Sequence, residues 1–143
     1  MTESSNPNSK SAPSTFLSRG LHSPLRWPAA VMLLVSAVAH VPVVAPGLED
    51  VTYIGILFIL LIVSNAGLIA ALLFRDSLAV WSLTAVVLGL AFLAYVASRT
   101  VGLPMQDAYI GDWVSGPGLA SLISAGVGAG IAIVALTRAR NAG

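Results

Sequence analysis

Four apolar runs, 27–46, 51–74, 77–98 and 115–137, each hold about 20 residues without an Asp, Glu, Lys or Arg. At a rise of 1.5 Å per residue, a helix of that length crosses a hydrocarbon core of roughly 30 Å. A lipid-exposed segment must satisfy its backbone hydrogen bonds internally, so each run is read as a helix. The expected fold is therefore an all-α, four-helix transmembrane bundle in contact with the lipid bilayer.

Composition agrees: 57% of residues are hydrophobic and 9% charged, with a mean hydropathy of +0.89. A soluble domain carries about 25% charged residues to wet its surface. The chain has no cysteine, which excludes disulfides, thiolate metal sites and a cysteine nucleophile.

Charge distribution sets the expected orientation. Lys10, Arg19 and Arg26 precede the first span, Arg75 follows the second, and Arg138 and Arg140 follow the fourth. With alternating spans all six lie on one side, against Arg99, Glu49, Asp50, Asp107 and Asp112 on the other. Basic residues near span ends collect in the cytoplasm, so both termini are expected there, in a multi-pass protein of the cell membrane. Residues 1–25, rich in Ser, Asn and Pro, read as a disordered cytoplasmic tail ahead of a membrane domain over 26–138. Ala37-Val38-Ala39 has the small-residue pattern of a signal-peptide cleavage site, and cutting there would leave His40 as a metal-competent amino terminus. The apolar stretch continues through Val44 and Ala45, which favours an uncleaved first span.

An ionisable group at membrane depth is costly, so the residues that interrupt the apolar pattern are the candidates for function. His40 lies within the first span, and Pro42 cannot donate a backbone hydrogen bond, so a kink or an early helix end is expected there. Gly47, Leu48, Glu49 and Asp50 read as a tight outer turn, and Tyr53 opens the second span. The ligand or ion candidates are thus His40, Glu49, Asp50, Tyr53 and Arg99.

Three uses compete for them. In a structural one, Arg99 pairs with Glu49 or Asp50 and clamps the outer turn to the third span. In a metal site, His40 and Glu49 supply ligands, although no paired spacing such as H-x-x-x-H supports them. A haem held by two His would need His22, which falls on the wrong side. In a proton path, His40 titrates beside a carboxylate. The deeper polar residues Ser36, Ser64, Asn65 and Thr84 do not ionise, so that path stops short.

No G-x-S-x-G elbow, phosphate-binding loop or dinucleotide fingerprint is present. The chain is read as no enzyme, with no catalytic residue and no cofactor, and without a basic face for nucleic acid. The fourth span is built from small residues. Gly126 and Gly130 form a G-x-x-x-G pair, Ser124 with Gly128 and Ala125 with Ala129 repeat the spacing, and Gly67 with Ala71 offers flat positions on the second span, so these residues serve packing within the bundle or a partner helix. Asn65 is a candidate interhelical donor, worth roughly 0.6–2 kcal/mol. The expected partner is a protein, or a second copy of this chain, at the fourth span. The external loop 101–114, with Met105, Tyr109, Ile110 and Trp113, is expected to lie on the bilayer surface.

The stretch His40-Val-Pro-Val-Val-Ala-Pro-Gly-Leu-Glu-Asp, then Gly55-Ile-Leu-Phe58 and Ser98-Arg99-Thr100-Val-Gly102-Leu103-Pro104, resembles a family of small four-span membrane proteins common in actinobacteria. These carry a His…His-Leu-Glu-Glu turn and a Ser-Arg-Thr-x-Gly-Leu-Pro segment. The resemblance covers roughly residues 28–136 and implies a fold and a lineage, not an activity. Where a second His is expected before Leu-Glu, this chain has Gly47, which weakens a two-histidine metal site. Small multidrug transporters also have four short spans, but their carboxylate lies in the first span, where this chain has only His40. The leading function is an accessory or scaffolding subunit of a membrane complex; the alternative is an outer-face ion, metal or small-ligand protein using His40 and the Glu49–Asp50 turn.

Because the chain has no cysteine of its own, its topology is directly testable. A cysteine replacing Gln106 should react with an impermeant maleimide added to intact cells, and one replacing Arg138 should not. The reverse pattern would invert the orientation.

Overall fold

The structure is a computed structural model and describes residues 23–141. The tail expected over 1–25, with Lys10, Arg19 and His22, lies outside the described residues except for its last three positions. Helix α1 spans Arg26–Asp50, α2 Thr52–Phe74, α3 Leu78–Thr100 and α4 Gly116–Asn141. All four are long and apolar enough to cross a membrane. The chain is a four-helix integral membrane protein, as the apolar runs predict. We call the face where α1 begins and α4 ends the terminal face, and the opposite one the loop face.

The first helix departs from expectation. It does not stop at Pro42 or Pro46 but continues to Asp50. The expected turn Gly47-Leu48-Glu49-Asp50 is helical, and the link to α2 shrinks to Val51, in extended conformation at φ −144° and ψ 91°. Close packing explains the extra turn. A Cβ on Gly55 would fall 2.5 Å from the Leu48 backbone nitrogen, and one on Gly47 would fall 3.2 Å from the Gly55 Cα. Two backbones in contact hold this end of α1 in place despite the two missing proline donors.

Helix α1 packs against α2 and α4, and α4 against α3, whereas α2 and α3 form the sparsest seam between neighbouring helices. Their looser seam is a groove lined by Gly67, Ala71, Val80 and Leu83. The core is unevenly divided. Leu33, Leu68, Leu72, Trp81 and Leu88 fill it with Ala29, Ala132 and Ala135, mainly toward the terminal face. Toward the loop face and mid-depth, polar residues are buried beside small ones: Ser36, His40, Asn65, Ser121 and Ser124, with Ala37 and Ala125. Large apolar side chains such as Leu34, Leu60, Leu90 and Ile133 point outward, as a lipid solvent requires.

Of the small-residue pairs in α4, the bundle uses the face of Ser124 and Gly128 rather than that of Gly126 and Gly130. A Cβ on Gly128 would meet Leu88 Cδ1 at 2.5 Å and Met32 Cβ at 3.0 Å, so Gly128 seats α4 against α1 and α3. A Cβ on Gly126 would lie 3.3 Å from the Phe92 ring, while one on Gly130 or Gly67 would meet nothing within 4 Å. Gly126 and Gly130 therefore do not act as a pair within the bundle, and Gly67 does not receive α4.

These distances separate two kinds of glycine. Gly55→Ala should destabilise the protein by about 1–3 kcal/mol, because the obstacle is backbone. Gly130→Ala should be neutral or stabilising by up to about 1 kcal/mol through helix propensity. Thermal unfolding of both variants in detergent checks the pair.

Candidate functional site

His40 is 8% exposed and sits where α1, α2 and α4 meet. Its Nδ1 donates to the Ser36 carbonyl oxygen at 2.7 Å. That leaves Nε2 to accept from the Ser121 hydroxyl at 3.3 Å. The ring also packs on Phe58 with centroids 5.2 Å apart. A metal would need the lone pair that Ser121 occupies.

Glu49 and Asp50 lie at the exposed tip of α1 and form no ion pair among the described residues. Tyr53, at the start of α2, donates its hydroxyl to the Pro104 carbonyl at 2.6 Å, tying this hairpin to the loop after α3. Pro104 and Met105 turn the chain there. Leu103 and Gln106 bond to each other across the turn, and Met105 takes φ +64°, the left-handed third position of a type II turn. Gly102, at φ +79°, lets its N–H reach back to the Ala97 carbonyl at 3.0 Å and end α3.

Arg99 is buried at the end of α3, and its partners correct the sequence expectation. It pairs with neither Glu49 nor Asp50. Its guanidinium carbon lies 4.9 Å from the Tyr95 ring centroid and 5.0 Å from that of Tyr109. One amino group donates to the Tyr109 carbonyl at 3.3 Å, the other to the Ser115 hydroxyl at 3.4 Å. The carboxylate beside it is Asp112, at 3.7 Å and half exposed. An exposed pair of that length is worth about 0–1 kcal/mol, whereas a desolvated cation–π contact reaches about 2 kcal/mol. The tyrosines, rather than the acid, hold the cation. The correction has a local cause: loop 101–115 folds back over α3, donating Gly111 N–H to the Arg99 carbonyl at 2.9 Å, so Asp112 reaches the guanidinium first.

The candidates therefore do not assemble into one site. Among the described residues, none of His40, Glu49, Asp50, Tyr53 and Arg99 bonds to another, and no group of three or more His, Asp or Glu side chains gathers. The loop residues Met105, Val114, Ile110 and Trp113 are exposed, forming an apolar fringe at this end.

Three structural positions escaped the sequence reading: Asp76, Ser77 and Ser121. Asp76, in the α2–α3 turn, is 5% exposed and adopts φ +31°, a conformation Asp tolerates better than most residues. It accepts from the Trp81 indole Nε1–H at 2.5 Å and from the Ser23 backbone N–H at 2.7 Å. Ser77 caps α3 by accepting from the Val80 N–H at 3.4 Å. An Asp-Ser pair just ahead of an apolar run is an N-terminal signal, and a Trp within reach of it was the available clue. Ser121, the partner of His40, was hidden in the small-residue pattern of α4.

Fold and site together define a membrane bundle in which His40, Tyr53, Asp76 and Arg99 fasten helices and loops. Comparison with protein-family models, with curated proteins and with solved structures returns no match for the chain.

The Arg99 geometry ranks its contacts. Arg99→Ala should free the 101–115 loop and speed its limited proteolysis, and Asp112→Asn should change stability by less than about 0.5 kcal/mol. At the other end, Asp76→Ala strands a buried indole N–H and should cost about 1–3 kcal/mol in thermal unfolding.

Proposed function

We propose that this chain is a non-enzymatic accessory or scaffolding subunit of a membrane complex. The observation that carries this reading is the occupancy of its chemistry-bearing residues. The His40 ring nitrogens are both bonded, Tyr53 anchors a loop carbonyl, and Arg99 is enclosed by two tyrosines. Side chains committed to holding the bundle are poor candidates for turnover or ion exchange. The open Gly130 on α4 and the apolar fringe of the 101–115 loop are the surfaces we assign to a protein partner or a second copy. We also propose that the protein resides in the cell membrane with both termini cytoplasmic, and that it descends from the actinobacterial four-span proteins it resembles at Ser98–Pro104.

The competing reading, an outer-face ion, metal or ligand protein, draws less support. Glu49 and Asp50 are exposed while His40 is buried, and the Nε2 lone pair is used.

Purification from native membranes in mild detergent, followed by native mass spectrometry with elemental analysis, tests both. A stoichiometric protein partner, retained by His40→Ala, is the expected result. A lone chain carrying metal that His40→Ala removes would sink the subunit reading.

A further inference from the structure

Three buried polar atoms near the middle of the bundle have no hydrogen-bond partner among the described residues: Ser36 Oγ, Asn65 Oδ1 and Asn65 Nδ2. Ser36 and Asn65 are 0% exposed, and Ser124 is 1% exposed. Helix register puts the three at one depth. Ser36 lies about 16 Å along α1 from Gly47, and Asn65 about 15 Å along α2 from Gly55, and those two glycines are in contact. On the other side, Ser36 stands midway between Met32 and His40, which meet Gly128 and Ser121 of α4. Ser124 lies between those two. Its hydroxyl hydrogen is donated to the Ser121 carbonyl at 3.1 Å, so its oxygen still accepts.

We propose that Ser36, Asn65 and Ser124 form an internal water site, holding one or two water molecules that bridge α1, α2 and α4. The chemistry fits. A buried water makes about three hydrogen bonds. Here it is offered a carboxamide oxygen, a carboxamide N–H pair, a hydroxyl that both donates and accepts, and a second hydroxyl oxygen. An apolar occupant would leave all of them unpaired in a medium where each orphaned group is costly. A second copy of the chain does not reach Asn65, because the residue is enclosed within one bundle. One turn closer to the terminal face, Leu33, Leu68 and Leu88 close the site, each under 5% exposed. The water is therefore held rather than passed through, and it sits one turn from the His40–Ser121 pair.

The site is tested on the full chain in lipid. A structure resolved well enough to order internal water should show density bridging the Ser36 hydroxyl and the Asn65 carboxamide. A direct bond between those two side chains with no water between them would overturn the proposal. Thermal unfolding supplies an independent readout. Asn65→Leu, of nearly the same shape, should lower the midpoint by several degrees, and the drop should shrink in a Ser36→Ala background. An unchanged or raised midpoint, or two effects that simply add, means Asn65 is dry. Should Asn65→Leu not fold, the wild-type density decides.

Discussion

Helices in a bilayer gain no hydrophobic driving force from burying leucine against leucine, since lipid tails are as apolar as leucine. Adhesion must come from backbones that approach closely and from polar groups that lipid cannot serve. Here the first requirement is met at Gly47 against Gly55 and at Gly128 against Met32 and Leu88. Both contacts belong to α1 or reach it, which makes the first helix the one around which α2 and α4 are placed. Helix α3 is held mainly through α4, and its seam with α2 is correspondingly loose.

Polar fasteners complete what the close contacts begin, and they are arranged by depth. At the terminal face, Asp76 draws together the α2–α3 turn, Trp81 and the segment entering α1. Near the loop face, His40 joins α1 to α4 through Ser121. Beyond it, Tyr53 and Arg99 fold the 101–115 loop onto the helix ends. The apolar core occupies the remaining length. The result is a membrane protein in which Asp76, His40, Tyr53 and Arg99 each have a mechanical assignment.

The number of helices and their approximate limits were readable because 20 apolar residues without charge have one stable form in lipid. The candidate residues were also visible as interruptions of that pattern. Their partners were not. Arg99 faces Glu49, Asp50, Asp107 and Asp112 with equal right in the sequence, and only the fold-back of its own loop selects Asp112. Pro42 argued for a kink or an early end to α1, yet the helix runs on to Asp50, where Gly47 and Gly55 bring α1 and α2 into backbone contact. The G-x-x-x-G spacing in α4 identified a helix with small faces but not which face is used. Gly128, two positions from either member of that pair, makes the close contact. Asp76 passed unnoticed because a charge in a short turn looks like solvated surface until a burial pattern shows otherwise.

The one-residue link at Val51 has a mechanical consequence. With the α1 and α2 backbones in contact beside it, neither helix can slide past the other by even a single residue. A bilayer thinner or thicker than the hairpin therefore cannot be matched by adjusting the two helices separately; they must tilt as one rigid body. The compliance falls to the seam between α2 and α3, where packing is sparse and Gly67 faces open space. Changes in membrane thickness would be absorbed by opening or closing that seam, which makes it the softest joint of the bundle.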